Sequence, residues 1–109
     1  MKKGLDQLND LKEKVENLHL KDKSSAFNTS RVEAIELQNL FEVAESTAIS
    51  AYSRTESRGA HARDDYPDRD DENWLCHTVF DPISKSVTKR EVNFSPAKVE
   101  AFPPKARSY

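Results

Sequence analysis

The run Leu37-Gln38-Asn39-Leu40-Phe41-Glu42-Val43-Ala44-Glu45-Ser46-Thr47-Ala48-Ile49-Ser50-Ala51-Tyr52 sets apolar side chains at helical spacing. Leu37, Leu40, Phe41, Ala44, Ala48, Ala51 and Tyr52 fall on one main stripe, as a period of 3.6 residues requires. Ser30 followed by Glu33 has the spacing of a capping box, which predicts a helix start near Arg31, and Gly59 is the residue expected to stop it. From about Arg31 to Ser57 such a helix is around 40 Å long. Val32, Ile35, Val43 and Ile49 lie on other sides of the same cylinder, so it is apolar on more than one face and one neighbour cannot cover it. Small residues at 44, 48 and 51 allow another helix to approach closely. The alternative account is that the extra apolar residues are ordinary scattered surface hydrophobes.

Upstream, Leu5, Leu8, Leu11, Val15 and Leu18 recur at spacings of three and four, which predicts an amphipathic helix of roughly four turns ending around Asn17 to Lys21. Lys23-Ser24-Ser25 reads as a loop. Downstream, the period changes. Trp74 to Phe80 and Val87 to Phe94 alternate as strands, and Asp81-Pro82-Ile83-Ser84-Lys85-Ser86 supplies turn residues between them, so a β-hairpin is expected. Pro96, Pro103 and Pro104 keep the last residues extended.

The chain has 109 residues, room for one domain, and its 36% apolar and 33% charged residues predict a small core. A net charge of −2 gives no general attraction to nucleic acid or anionic membrane. Charge is unevenly spread, with six acids against Arg69 between Asp64 and Glu72 and six bases against two acids between Lys85 and Tyr109. The lone Cys76 excludes an internal disulfide and fits a reducing compartment, and no apolar run is long enough for a membrane span or signal peptide.

Between the helical and strand patterns, eleven of the twenty residues from Arg54 to Asn73 are charged. Both signs alternate, as in a segment built for specific ion pairs. Three groups of residues have the makings of chemistry. His61, Cys76 and His77 offer metal donors, but adjacent Cys76 and His77 point to opposite faces of a strand and no CxxC or HExxH spacing exists. His61 beside Asp64 and Asp65 has the makings of an oriented general base, without an evident nucleophile or oxyanion site nearby. The basic tail with Phe94, Phe102 and Tyr109 is too dilute for a nucleic-acid strip. No catalytic, cofactor-binding or metal-binding residue is therefore assigned.

The order of residues in the charged segment goes further. Arg-x-Glu-Ser-Arg-Gly-Ala-His-x-Arg at 54 to 63, Asp65-x-Pro67, Arg69-Asp70-Asp71-x-Asn73-Trp74 and the ending Phe102-Pro103-Pro104-Lys105 to Tyr109 resemble the carboxyl-terminal domain of succinate dehydrogenase and fumarate reductase flavoprotein subunits. The resemblance extends to Gly4-Leu5 through Leu18, to Phe27-Asn28-Thr29-Ser30-Arg31-Val32-Glu33 and to Leu37 through Tyr52. Within the family, the wording at 65 to 74 and the Phe-Pro-Pro-Lys ending resemble bacterial succinate dehydrogenase, whereas the fumarate reductase version tends to depart between the Asp65 and Arg69 positions.

The resemblance implies a mainly α fold, a spectrin-repeat-like three-helix bundle with its first helix missing from residues 1–109, followed by a small β-hairpin and an extended tail. Residues 4–58 would be mostly helical, 59–73 a charged loop, 74–94 the hairpin and 95–109 the tail. It further implies an intact subunit that oxidises succinate to fumarate through covalently bound FAD and passes electrons via an iron-sulfur subunit to quinone. Membrane-anchor subunits would hold it peripherally at the cytoplasmic face of a bacterial inner membrane. The residues of this chain match none of the family's catalytic positions, so the isolated chain is expected to be inactive and without cofactor. Arg54, Glu56, Arg58, His61, Arg63 and Asp65 are expected to form ion pairs with one another or with the FAD-binding domain. An uncovered helix face also predicts self-association of the chain alone. A fumarate reductase domain and a non-enzymatic helical adaptor are the competing readings, and the adaptor does not explain the ordered charged motif.

Overall fold

The computed structural model describes residues 1–105, so the final four positions of the expected tail, 106–109, lie outside the described residues. The chain is mainly helical, in the order α1 (Lys2–Glu16), α2 (Thr29–Ser53), α3 (Asp71–Trp74), β1 (Cys76–Asp81) and β2 (Ser86–Glu91). It divides into two units, residues 1–52 and residues 53 onward.

In the first unit, α1 turns Leu5, Leu8 and Val15 to its partly covered side and leaves Leu11 exposed, and Leu18, just past the end of the helix, is exposed as well. The helix ends where the Asn17 side-chain amide donates to the Glu13 carbonyl at 2.7 Å, satisfying one of the terminal carbonyls that has no partner within a helix. A Lys12–Glu45 ion pair at 3.7 Å links α1 to α2, and Glu45 is buried.

The start of α2 differs from the capping-box expectation. Asn28, not Ser30, is the cap: its Oδ1 accepts from the Arg31 amide at 2.9 Å, and its carbonyl accepts the first helical bond from Val32. Ser30 lies inside the first turn. Asn is at least as good a cap as Ser, and here its amide also donates to the Asp22 and Ser24 carbonyls, at 3.2 and 2.9 Å. These bonds hold the preceding loop in a shape that leaves Phe27 at φ +51 and fully exposed. For a bulky L-residue the left-handed region costs roughly 1–2 kcal/mol.

The packed side of α2 also differs from the expected main stripe. Leu37 and Leu40 are exposed, as are Val32, Ile35 and Val43, whereas Ala34, Phe41, Glu45 and Ala48 form the more covered line. Steps of seven, four and three residues put those four on one face. Several faces of α2 are apolar enough to pack, so apolarity alone did not select this one.

The helix stops at Ser53, short of the expected Ser57. Arg54, Glu56 and Arg58 bond to one another at i, i+2 spacing, a pairing that a helix forbids and an extended backbone allows. Gly59 serves the loop instead. At φ +58 it occupies the two-residue turn closed by mutual Arg58 and His61 backbone bonds of 2.8 and 3.0 Å.

A one-turn helix, α3, stands where the first strand was expected to begin. Asp70 caps it by accepting from the Asn73 amide at 3.0 Å, and this turn places Trp74, the one buried hydrophobic side chain among the described residues. The antiparallel hairpin then runs from Cys76, paired with Glu91, to Asp81, paired with Ser86. Asp81 shapes its turn by accepting from the Ile83 amide at 2.8 Å, which holds the Asp81 carboxyl below its usual range. Cys76, Thr78 and Phe80 share the more covered face and His77 and Val79 the exposed one, in agreement with the alternation argument against a Cys76–His77 metal site.

The two candidate caps of α2 make opposite predictions. Asn28→Ala is expected to lower stability by about 1–2 kcal/mol, and Ser30→Ala to change it by less than about 0.5 kcal/mol, in urea unfolding of the chain. The reverse order would restore the capping box.

Candidate functional site

Extended backbone at 54–58 turns Arg54, Glu56 and Arg58 to the same side, and the result is a carboxylate enclosed by guanidinium groups. Glu56 is 0% exposed. Its Oε1 accepts from Arg54 Nε at 2.7 Å and from Arg58 Nε at 2.8 Å; its Oε2 accepts from Arg58 Nη2 at 3.0 Å and from the Asp70 amide at 2.8 Å. Four donors on two oxygens occupy the acceptor sites a carboxylate offers. Burial pushes the Glu56 carboxyl up, but hydrogen bonds from Arg58, the Asp70 amide and Arg54, together with the Arg54 charge, outweigh it and hold it at about 2. The Glu56 and Asp71 bonds in turn raise Arg58.

The cluster reaches outward in both directions. Arg54 Nη1 donates to the Cys76 carbonyl at 3.1 Å and to Thr78 Oγ1 at 3.0 Å, and its Nη2 donates to the Trp74 carbonyl, so one side chain ties Glu56 to the start of β1. Arg58 Nη2 meets Asp71 Oδ1 at 2.6 Å, and Asp71 Oδ2 meets Arg69 Nη2 at 3.0 Å. Arg69 Nη1 then donates to the Lys105 carbonyl at 3.0 Å, which fastens the tail.

Trp74 sits against two cations, with the Arg54 guanidinium carbon 5.3 Å and Lys89 Nζ 3.6 Å from ring centroids. Such contacts favour a cation by roughly 0.5–2 kcal/mol. The indole N–H donates to Thr55 Oγ1 at 2.9 Å, and Lys89 Nζ donates to the Asn73 carbonyl at 2.9 Å.

A second pair flanks the first. Arg63 Nε and Nη2 donate to Asp65 Oδ1 and Oδ2 at 2.8 and 2.5 Å in a two-pronged fork, and the hydrogen bond from Arg63 draws the Asp65 carboxyl down. Arg63 Nη1 donates to the Arg54 carbonyl at 3.0 Å, and the guanidinium carbon lies 4.7 Å from the Tyr66 ring centroid. Ser57 Oγ accepts from the Arg63 amide at 2.8 Å and donates to the Tyr66 carbonyl at 2.7 Å.

The structure thus brings together Arg54, Glu56 and Arg58 in one network and Arg63 and Asp65 in the next. His61 Nε2 lies 3.4 Å from the Arg54 carbonyl, a backbone acceptor where a carboxylate-oriented general base needs an acid. Asp70, Asp71 and Trp74, which the sequence offered only as part of the ordered motif at 69 to 74, complete the cluster together with Thr55 and Lys89, which it did not offer. Opposite charges at 54, 56 and 58 were the available signal, because that spacing pairs only in extended chain. A hollow of about 730 Å³, open to solvent, lies beside the loop between Arg58, His61, Pro67 and Arg69. No group of three or more His, Cys, Asp or Glu side chains among the described residues is placed to hold a metal ion. Chemically, this arrangement holds backbone in place.

Two helices, followed by a loop locked by arginine–carboxylate pairs around the buried Glu56 and a hairpin pinned to that loop, define a mainly helical domain with a polar cluster at its second unit's centre. The family model described as "Fumarate reductase flavoprotein C-term" matches residues 1–109. The succinate dehydrogenase flavoprotein subunit of Coxiella burnetii is 50% identical over 107 residues, covering 98% of this chain and 18% of that protein. The fumarate reductase flavoprotein subunit of Haemophilus influenzae is 39% identical over 100% of this chain and 18% of its own length. The mitochondrial succinate dehydrogenase [ubiquinone] flavoprotein subunit of Oryza sativa is 40% identical over 89% of the chain and 16% of its length. The chain belongs to the succinate dehydrogenase and fumarate reductase flavoprotein C-terminal family, and it spans less than a fifth of the length of these relatives. These relatives are flavoprotein subunits of oxidoreductases. The glycine-rich strand-to-helix turn that commonly cradles a dinucleotide is not found among the described residues. Gly4 lies in α1 and Gly59 in the charged loop, so neither belongs to a glycine-rich turn between a strand and a helix.

Removing the central carboxylate tests the cluster. Glu56→Ala is expected to lower stability by about 3–5 kcal/mol, because Arg54 and Arg58 lose a buried partner. Asp64→Ala, an exposed carboxylate in the same loop, is expected to change it by less than about 0.5 kcal/mol in the same urea titration. The pH dependence has a definite sign. Because folding lowers Glu56 from 4.5 to about 2, its contribution is complete above about 4.5 and is lost as pH falls from there toward 2. Unfolding midpoints between pH 6 and pH 2 should fall in that window, and Glu56→Gln should flatten the fall.

Proposed function

We propose that this chain is the supporting domain of a succinate dehydrogenase flavoprotein subunit, in which the cluster around Glu56 fixes a rigid loop for docking against an FAD-binding domain. Arg54, Glu56, Arg58, His61, Arg63 and Asp65 position this loop, and none of them reacts. The enclosed carboxylate is the observation that carries this reading, since a group with four donors and no exposure is suited to holding shape. The bound FAD supplies the redox chemistry when succinate is oxidised to fumarate, and electrons leave through an iron-sulfur subunit toward quinone. Membrane-anchor subunits hold the assembly at the cytoplasmic face of a bacterial inner membrane. No helix among the described residues is long and apolar enough to cross a membrane, which is compatible with attachment through partners.

The identity of 50% to the Coxiella burnetii succinate dehydrogenase subunit, against 39% to the Haemophilus influenzae fumarate reductase subunit, favours succinate oxidation as the working direction. Full coverage of this chain by the latter keeps fumarate reduction as the second reading. Turnover of the intact complex should be faster from succinate to quinone than from quinol to fumarate, and the opposite ratio selects the second reading. In that complex, Glu56→Gln should reduce the yield of assembled, flavin-containing subunit and leave the KM for succinate unchanged. A raised KM with full assembly would instead place the cluster at the substrate. The 109-residue chain alone is expected to show neither flavin absorbance nor succinate oxidation.

A further inference from the structure

Among the described residues, Phe27 is the one large apolar side chain that combines complete exposure with a left-handed backbone, and it is held there by an ordered loop. Asn28 Nδ2 donates to the Asp22 and Ser24 carbonyls, the Ser24 amide donates to Asp22 Oδ1 at 2.9 Å, and the Thr29 amide donates to the Phe27 carbonyl at 3.1 Å. The Ser24 bond draws the Asp22 carboxyl down, in keeping with an ionised, engaged acceptor. Nothing in this loop turns the ring inward. Phe27 is 103% exposed at φ +51, and beside it Ser25, Arg31, Val32 and Glu33 border an open hollow at the start of α2. An aromatic ring held in water on an unfavourable backbone, when a glycine or asparagine would fit that backbone better, gains nothing within residues 1–105.

We propose that Phe27 is an anchor that enters an apolar pocket on the remainder of the flavoprotein subunit. The proposal rests on the reading of the chain as a domain of such a subunit. The choice of occupant follows from magnitude. Burial of one ring is small against the translational and rotational freedom lost when two free proteins associate, so a lone anchor does not sustain a separate complex. Tethering within one polypeptide removes most of that loss and makes a single anchor sufficient. The relatives provide the polypeptide, since the match to this chain covers only 18% of the Coxiella burnetii subunit.

Hydroxyl-radical footprinting of the intact flavoprotein subunit tests the anchor directly. Phe27 should be oxidised at least ten-fold more slowly in the folded subunit than in the same subunit unfolded in urea. Equal rates would overturn the proposal. Proteolysis between residues 21 and 28 supplies an independent reading: Phe27→Asp should accelerate cleavage several-fold while Phe27→Leu, which keeps an apolar side chain, should not. Unchanged cleavage in Phe27→Asp counts against the anchor. Flavin absorbance of the same preparation reports on the subunit assignment separately, so a flavin-containing subunit with an unprotected Phe27 overturns the anchor and leaves the proposed function standing.

Discussion

The second unit depends on one carboxylate removed from water. Glu56 has no exposed surface, and an ionised carboxylate in that position is tolerated only where its charge and its acceptor sites are met. Arg54, Arg58 and the Asp70 amide meet them from three directions of the chain. Each donor carries a structural consequence. Arg54 brings the beginning of β1, Arg58 brings Asp71 in α3, and the Asp70 amide fixes the residue that caps α3. A two-stranded hairpin is marginal by itself, so its attachment through the backbone carbonyl of Cys76 and the side chain of Thr78 gives it a support that strand pairing alone does not.

This polar core has a different energetic character from an apolar one. A buried ion pair returns little net stability, because desolvation opposes the Coulomb attraction, yet removal of one partner is severe because the other remains buried. The arrangement therefore discriminates strongly between one conformation and its alternatives while adding modestly to total stability. Trp74 fits the same logic. It is the one buried hydrophobic among the described residues, and it is held by polar contacts on its rim and cations near its ring, from Thr55, Arg54 and Lys89. Arg63 extends the pattern: its fork to Asp65 leaves a third nitrogen to satisfy the Arg54 carbonyl just beyond the end of α2.

The elements with a strong local signature were legible in the sequence. The repeat of Leu5, Leu8, Leu11 and Val15 marked α1, the long apolar period marked α2, and alternation around Asp81 to Ser86 marked the hairpin. The misreadings occurred where side-chain hydrogen bonds compete with the backbone period. Ser30 and Glu33 had cap spacing, but Asn28 cap bonds also organise the loop behind it. Trp74 matched strand alternation, but Asp70 could cap a turn that places the indole inward. The expectation that α2 continues to Ser57 rests on Gly59 as the residue that stops it; the pairing of Arg54 and Arg58 with Glu56 ends it instead. Membership of the cluster was legible for the charged residues in the motif and hidden for Thr55 and Lys89, whose roles arise from contacts across nineteen and fifteen positions of sequence.

Relatives named for succinate dehydrogenase and for fumarate reductase both match this chain across nearly its whole length. Proteins named for opposite directions of one reaction thus share the sequence of this domain. A domain shared in this way is a poor place to encode direction, because direction is set by the relative potentials of flavin, relay centres and quinone and these respond to groups near the cofactor. A fixed geometry, by contrast, serves either direction equally. The Glu56 carboxylate is in keeping with such a fixed geometry: burial pushes its carboxyl up, but hydrogen bonds from Arg58, the Asp70 amide and Arg54 hold it at about 2, so it stays ionised across the neutral range.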